Sequence, residues 1–392
     1  MLCVGSIITN SQAQRKAKPL NDNTISLDSS AEQALLMAQS LIDKPTRLPK
    51  TTDAEGKLNT TSSADWVSGF FPGVLWYLYE YKRDTVLLNY ARNYTARVEK
   101  EKNNKRTHDL GFMLYCSFGN GYRITGDTTY REVLLTGAES LASRYNPVIG
   151  LLRSWDWSND KQWQYPVIID NMMNLELLFW ASKISGNPKY REIAISHADR
   201  TMANHFRPDY STYHVVSYDT VTGIPEMKVT HQGYADESAW SRGQAWGLYG
   251  FTMAYRETKD SKYLEQAKRI ADFILNHPNL PADKIPYWDF NAPDIPNAKR
   301  DASAGAVIAS ALIELSGYVD KSLAKKYLNV AKTQLRTLSS PEYLAKKGTN
   351  GNFILKHSVG HFTGNIEVDV PLTYADYYYI EALLRLINNG KQ

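Results

Sequence analysis

Acidic and imidazole side chains stand at points of the chain where apolar helical segments are expected to begin. His108 and Asp109 precede one such segment, Asp170 opens a second, and His214 and His231 precede a third. A carboxyl group held beside a reacting bond can donate a proton and then take one back. Taken singly, an aspartate at a helix start is typical of an N-cap, and a histidine is typical of a hydrogen-bonded core or surface residue. Their chemistry therefore depends on whether the fold gathers them.

A second group combines aromatic rings with a cation. Residues 240–246 read Trp-Ser-Arg-Gly-Gln-Ala-Trp, so Arg242 lies between two tryptophans, and Gln232 lies shortly before them. Trp66 and Phe70 open an earlier helical segment. A guanidinium in apolar surroundings needs an anionic partner, so Arg242 is harder to explain by packing alone.

Helical periodicity dominates the chain that must position these residues. It predicts twelve helices, at 29–44, 71–83, 84–101, 111–125, 129–145, 169–185, 188–206, 241–258, 261–277, 303–319, 322–339 and 371–388. Turns of one pattern, at 125–130, 185–190 and 258–263, end one helix and cap the next with Asp or Asn. The turns recur at intervals of roughly 60 to 70 residues, which indicates repeated helical hairpins.

The two helices of each hairpin differ in character. One is apolar on most faces, as a buried helix must be, and its partner alternates charged with apolar residues. This alternation predicts an all-α fold, a closed α/α toroid of six hairpins, with a solenoid as the competing arrangement. A short β-hairpin is expected at 212–230, over one mouth of the barrel.

In such a toroid all inner helices run in the same direction, so the segments that precede them converge on one mouth. Those segments include the acids, histidines and aromatic residues above, together with Asp301 and Asp369. Helix N-termini add unpaired N–H groups and the positive end of a dipole, which suit an anionic ligand.

Composition excludes several classes of protein. The chain has 392 residues and a net charge of +4, without a basic block interleaved with aromatic residues, so no nucleic-acid partner is expected. No apolar run after the N-terminus reaches transmembrane length, so no membrane partner is expected either. His357 and His361 are four residues apart, but they lack an evident helix and an acidic third ligand, so no metal site is expected.

The N-terminus predicts export. Residues 2–8 are largely apolar and are followed by Ser-Gln-Ala at 11–13, which resembles the back half of a secretory signal peptide. We therefore expect residues 1–20 to be a partial signal peptide and linker, 21–392 to be one catalytic domain, and the protein to be periplasmic or secreted. Cys3 lies in the first segment, which leaves Cys116 as the only mature cysteine. The sequence leaves the oligomeric state open.

At these segments the chain resembles the unsaturated glucuronyl hydrolases of glycoside hydrolase family 88. The resemblance runs from about residue 66 to residue 385 and keeps the order and spacing of its motifs. The matching segments are 66–70, 108–112, 169–175, 231–233, 240–246 and 367–378. It implies an (α/α)6 barrel, no cofactor, and hydration of the C4=C5 double bond that polysaccharide lyases leave on a uronic acid.

The resemblance also implies roles for single residues. Asp170 would be the acid/base that protonates C4 and then activates water, and Asp109 would be a second carboxylate that keeps the pKa of Asp170 raised. The remaining roles concern substrate binding. Trp66, Phe70 and Trp240 would shape and stack the ring, Gln232 and His214 would contact the uronate carboxylate or the water, His108 and Arg242 would contact its oxygens, and Trp246 would form a wall.

The sequence leaves the preference for sulfated substrates open. Some relatives that act on sulfated glycosaminoglycans carry a Ser-x-x-Ser-x-Lys patch, but residues 356–362 here lack the second Ser and the Lys.

Three alternative functions also stay open. An unsaturated rhamnogalacturonyl hydrolase would share the barrel and the hydration chemistry, and a conventional inverting glycosidase would act on saturated sugars. A non-catalytic glycan-binding protein would need a missing acid, whereas both Asp109 and Asp170 are present.

Overall fold

The computed structural model describes residues 22–157 and 163–389, so the predicted signal segment at 1–20 lies outside the described residues. The described chain is mostly helical. Its α-helices are α1 Asp22–Ser40, α2 Phe70–Lys82, α3 Thr85–Ala96, α4 Asn120–Thr125, α5 Thr128–Ala142, α6 Leu175–Ser185, α7 Pro188–Asn204, α8 Ser241–Thr258, α9 Ser261–Asn276, α10 Ala302–Ser316, α11 Lys321–Leu338 and α12 Thr373–Asn389. A π-helix at Gly111–Gly119 leads into α4, and a 3₁₀ helix at Ile169–Asn174 leads into α6.

Side-chain caps define the hairpin turns, as the sequence predicts. Asp127, Asn187 and Asp260 each accept a hydrogen bond from the backbone N–H two residues later, at the start of α5, α7 and α9. Pro188 occupies the first turn of α7, where its missing N–H has no intrahelical partner to lose. These caps fix where each outer helix begins.

The inner helices form a closed ring. Helix α2 packs against the π-helix, which packs against α6, and contacts then run from α6 to α8, α10 and α12 and back to α2. The outer helices pair with them, for example α3 with α2, α9 with α8 and α11 with α10. The fold is therefore an (α/α)6 barrel, because an open solenoid would leave α2 and α12 without contact.

Burial separates the two layers. All of α10 except one glutamate is buried, and α8 is buried from its first residue to Ala254. The outer helices α9 and α11 bury one stripe each and expose charged residues on the other face. Among the described helices, no helix is both long enough and apolar enough to cross a membrane.

In the part of the chain that the structure describes, nine short strands form four small antiparallel sheets. The strands are β1 Leu48–Thr52, β2 Leu58–Thr61, β3 Tyr145–Asn146, β4 Leu151–Leu152, β5 Pro166–Ile168, β6 Val215–Tyr218, β7 Pro225–Val229, β8 Ser358–His361 and β9 Ile366–Val370. The predicted hairpin at 212–230 is confirmed as β6–β7, and β5 adds a third strand to it. Since β5 runs directly into the 3₁₀ helix, this sheet orients the segment that carries Asp170.

Several helix boundaries differ from prediction: α1, α3, α5 and α10 each end three to five residues earlier than expected. Three differences concern where a helix begins. The first helix begins at Asp22 rather than at 29, because serines such as Ser26 and Ser30 complete its buried face and weaken the apolar pattern. The segments expected to be α-helical at 111–125 and 169–185 begin as a π-helix and a 3₁₀ helix. Both departures lie where the candidate acids stand, and such irregular turns are frequent at functional sites.

Candidate active site

A cavity of about 90 Å³ opens at the mouth of the barrel where the inner helices begin. Most of the predicted site residues face it, from the starts of four different inner elements. Its lining consists of Trp66, His108, Asp109, Trp155, Ile168, Asp170, Gln232 and Arg242. The convergence expected from parallel inner helices is therefore present.

Asp170 is the most perturbed acid in this cavity. Its residue is only 8% exposed, and burial raises the pKa of its carboxyl to about 7. The nearby Arg242 cation lowers that pKa and the Asp109 carboxylate raises it. Burial is the largest cause, whereas the sequence interpretation gave that role to repulsion between the two acids. A carboxyl group with a pKa near neutrality is suited to give and take a proton at pH 7.

His214 faces Asp170 in one defined tautomer. Its Nδ1 accepts hydrogen bonds from the backbone N–H groups of His231 and Gln232, at 3.2 and 3.1 Å. Burial holds the pKa of His214 well below its usual range, so the ring is neutral and carries its proton on Nε2. Nε2 lies 3.7 Å from Oδ2 of Asp170, and neither atom has a hydrogen-bond partner among the described residues. His214 therefore presents an N–H donor beside the acid.

Asp109 stands on the turn before the π-helix. Its Oδ2 accepts a hydrogen bond of 2.9 Å from the Thr107 hydroxyl, and its Oδ1 lies 3.4 Å from Nε2 of His108. Burial lowers the pKa of His108, which favours its neutral form. Oδ1 of Asp109 thus faces His108 in the cavity wall, and the hydroxyl group of Thr107 holds Oδ2 in place.

Arg242 is anchored by the protein rather than left open for a ligand. Its guanidinium forms a salt bridge of 3.0 Å with Asp301 and donates to the carbonyl groups of Val359 and Gly360 on β8. Most of its N–H donors therefore bind the protein itself, whereas the sequence interpretation expected them to contact uronate oxygens. Its charge still acts on the cavity, because it lowers the pKa of Asp170.

Gln232 and Arg242 meet at the same acceptor. The Gln232 amide donates to the Gly360 carbonyl at 2.9 Å, and Arg242 donates to that carbonyl as well. The two side chains thereby hold β8 against the site.

The predicted aromatic residues divide into two groups. Trp66 is half-buried and faces the cavity, with Phe70 behind it at a centroid separation of 5.7 Å. Phe70 is 0% exposed and does not line the cavity, so its ring supports Trp66 instead of meeting a sugar. Trp240 is also buried, with its ring 4.5 Å from His214 and 4.4 Å from the Arg242 guanidinium.

Trp246 lies deeper still, packed on Phe112 and Tyr378. Its indole favours the ionised form of Asp170 and so lowers the pKa of that carboxyl. Trp246 is not among the residues that line the cavity, so the wall predicted for it stays a prediction.

Trp155 lines the cavity and was missed by the sequence interpretation. Its ring stacks on Trp157 at 4.5 Å and 13°, and Trp163 joins the same cluster. The signal was present as three tryptophans within nine residues outside any predicted helix, a pattern that packing of a helical core does not require.

Asp301 was noted in the sequence only as the start of a helix. Its role as the partner of Arg242 was missed, because Arg242 lies far away in the sequence.

Residues 37–385 match the family described as Glycosyl Hydrolase Family 88. This match spans most of the chain and includes every residue that lines the cavity. The chain belongs to family 88.

Curated relatives bear names of one kind of enzyme. An unsaturated glucuronyl hydrolase of Formosa agariphila is 50% identical over 327 residues, which cover 83% of this chain and 81% of that protein. An unsaturated chondroitin disaccharide hydrolase of Streptococcus agalactiae is 36% identical and covers 82% of this chain and 81% of that protein.

Solved structures of family 88 share the fold. An unsaturated glucuronyl hydrolase specific for heparin superposes with a TM-score of 0.92 at 50% identity, covering 95% of this chain and 98% of that one. The unsaturated glucuronyl hydrolase of Bacillus sp. GL1 superposes with a TM-score of 0.86 at 33% identity, covering 92% and 96%. Within the described part of this family 88 chain, no group of three or more His, Cys, Asp or Glu side chains could hold a metal ion.

Proposed function

We propose that this chain removes the unsaturated uronic acid from short glycosaminoglycan fragments by hydrating its C4=C5 double bond. One observation carries the proposal: Asp170, with a pKa of about 7, lines a small cavity together with Asp109, and the neutral His214 lies 3.7 Å behind it. The names of the relatives above support it, since they act on unsaturated glucuronides and on unsaturated chondroitin disaccharides.

The electronics of the substrate select the first step. An unsaturated uronic acid is a vinyl ether whose ring oxygen pushes electron density toward C4. Protonated Asp170 donates its proton to C4, and the positive charge that forms at C5 is stabilised by the same ring oxygen. Asp170 leaves this step as a carboxylate.

Water completes the reaction. The Asp170 carboxylate takes a proton from water as its oxygen adds to C5, and the acid is thereby regenerated. His214 supports this step, because its Nε2–H can donate to the water oxygen beside Asp170. The hemiketal at C5 then collapses to a ketone, and its bond to the ring oxygen breaks, which opens the ring. The ring oxygen becomes the hydroxyl of a hemiacetal at C1, and collapse of this hemiacetal to an aldehyde releases the partner sugar as an alcohol.

A buried cation and helix N-termini beside the cavity favour binding of the uronate carboxylate. Arg242 is buried beside the cavity, and the starts of the inner helices point their N–H groups toward it. Electrostatic preorganisation of this kind binds an anion without the need for a direct clamp.

The test follows the double bond. Loss of its ultraviolet absorbance should be measured with lyase-generated disaccharides from chondroitin, hyaluronan and heparin, sulfated and unsulfated, and from pectin. Fast turnover of a pectin-derived rhamnogalacturonyl disaccharide alone would replace the proposed substrate class.

Isotopes distinguish hydration from ordinary glycoside cleavage. In heavy water, one deuterium is expected on C4 of the released sugar, and oxygen from labelled water is expected at C5. A saturated aryl glucuronide should not react, since it offers no alkene to protonate. Label at C1 without deuterium at C4 would show a conventional glycosidase.

We also propose that the protein acts outside the cytoplasm. The apolar run at residues 2–8 and the small residues at 11–13 support export. Cell fractionation of the producing organism, with activity recovered in the periplasm or medium, is the expected result, and activity confined to the cytosol would contradict it.

A further inference from the structure

Asn174 joins the two elements that carry the acids. It ends the 3₁₀ helix Ile169–Asn174, which begins beside Asp170, and its Oδ1 accepts a buried hydrogen bond of 2.9 Å from the backbone N–H of Phe112. Phe112 belongs to the first turn of the π-helix, and the carbonyl of Asp109 accepts from the N–H of Met113 in that same turn. Asn174 is therefore the polar link between an element that starts at Asp109 and one that contains Asp170.

The link is buried and makes one bond. Asn174 is 0% exposed, and its Nδ2 has no hydrogen-bond partner among the described residues. The first N–H groups of any helix lack intrahelical acceptors, and Phe112 carries one of them. An apolar side chain of the same branching, such as leucine, would leave that N–H without an acceptor, so packing alone does not explain the amide.

Gly111 completes the junction from the other side. A Cβ at this position would lie 2.5 Å from the Asn174 Cα and 2.8 Å from its Oδ1. The backbones of the π-helix and the 3₁₀ helix are thus in contact at Gly111 and Asn174, and one added methyl group would push them apart.

We infer that Asn174 and Gly111 are positioning residues that set the separation between Asp109 and Asp170. The two carboxylates repel each other in a buried setting, and the junction of Asn174 with Phe112 holds their elements together against that repulsion. This inference rests on the proposed function, because it assigns the separation a role in proton transfer at C4.

Two variants break the junction from opposite sides. Asn174→Leu keeps the branched shape of the side chain and removes the acceptor, and Gly111→Ala inserts the methyl group. Each is expected to lower kcat on an unsaturated disaccharide by about 10- to 100-fold with KM changed less than about threefold, since misplacement of about 1 Å costs that much. The double variant should fall no further than the worse single one, because both break one contact.

A pH profile separates positioning from loss of stability. If the acids move apart, repulsion by Asp109 weakens and the pKa of Asp170 falls, so the basic limb of kcat should move to lower pH. Arg242 and His214 also face Asp170, and neither is altered by these variants. Asn174→Asp keeps an oxygen acceptor for the N–H of Phe112, so it is expected to retain kcat within about fivefold. The basic limb of its pH profile should be unchanged or lie at higher pH, since an added carboxylate raises the pKa of Asp170.

Thr95→Val is the matched control. It removes a buried hydrogen bond of 2.8 Å from the Trp76 indole, away from the cavity, and should lower Tm without moving the pH profile. The inference would be overturned if folded Asn174→Leu had a normal kcat and a basic limb at the same pH as the wild type. If Gly111→Ala fails to fold, the two Asn174 variants still decide the question. Wild-type protein without hydratase activity would instead refute the proposed function.

Discussion

At the scale of single residues, the site depends on an acid that burial keeps protonated near neutral pH. Asp170→Asn keeps the shape of this acid and removes its proton. We expect turnover to fall by at least about 10²- to 10⁴-fold, because one group serves both proton steps. Substrate binding, measured by calorimetry with an unsaturated disaccharide, should stay close to that of the wild type, and near-normal turnover would refute the assignment.

The same substitution should stabilise the protein at high pH. Because burial raises the pKa of Asp170 to about 7 in the folded state, the native protein binds an extra proton between about pH 4 and 7, and its stability falls as the pH rises through this window. Asp170→Asn avoids that loss. We expect its free energy of unfolding to exceed the wild-type value by about 2–4 kcal/mol above pH 7 and to match it near pH 4.

Urea titrations at a series of pH values measure this difference. A gain that is independent of pH would show that ionisation of Asp170 is not its source. Asp109→Asn offers a second check, since loss of its charge should shift the basic limb of turnover to lower pH.

The sequence pointed to the two acids but not to the partners of the site residues. Asp109 and Asp170 were noted because each stands where an apolar helix begins, and their roles, which the resemblance to family 88 implied, stay predictions. The salt bridge between Arg242 and Asp301 was not predicted, because it joins the starts of two different helices and depends on the path of the chain between them. Phe70 shows the opposite error: it follows Trp66 by four residues and was expected to meet the sugar ring as Trp66 does, but its ring is buried.

At the scale of elements, the hairpin β8–β9 is held against the site by charges. Arg242 binds two carbonyl groups of β8, and Lys50 bridges Glu367 on β9 to Asp65, whose side chain caps the turn at Trp66. The hairpin and the start of α2 are therefore fixed relative to each other through β1.

Arg242→Met tests this anchor. The substitution leaves Asp301 buried without its counter-charge, so we expect a loss of about 3–5 kcal/mol in the free energy of unfolding and faster amide exchange in β8. Arg123→Met is the control, because Arg123 pairs with Glu80 on the surface, where such a pair contributes about 0–1 kcal/mol. Equal losses in the two variants would show that the buried pair has no special role.

Elements were predictable where caps and periodicity agree. The turns at Asn187 and Asp260 gave correct starts for α7 and α9, and the turn at Asp127 gave the start of α5 to within one residue, since the capping bond is local. The π-helix was not predictable, because its apolar pattern resembles that of a buried α-helix. Its register is set by tertiary contacts, among them the bond from Phe112 to Asn174.

At the scale of the whole molecule, the ring closes where α2 meets α12 and the π-helix. Alternation of apolar and charged helices predicted a toroid, but only the structure excludes a solenoid. Closure requires close approach: a Cβ at Gly73 would lie 2.4 Å from the Tyr377 ring and 2.6 Å from the Cys116 carbonyl oxygen. Three inner elements therefore meet at one glycine.

Gly73→Ala should consequently weaken the closed barrel as a whole. The added methyl group has to displace the Tyr377 ring or a backbone carbonyl, and overpacking of this kind costs about 1–3 kcal/mol. Gly247→Ala makes the same change in α8, where the nearest atom lies 3.5 Å away, so the helix gains about 0.4–1 kcal/mol from the lower entropy of its unfolded chain. Thermal unfolding of both variants should show opposite shifts of Tm. Equal shifts would mean that the contact between α2 and α12 adapts to an extra methyl group, and that closure does not depend on this close approach.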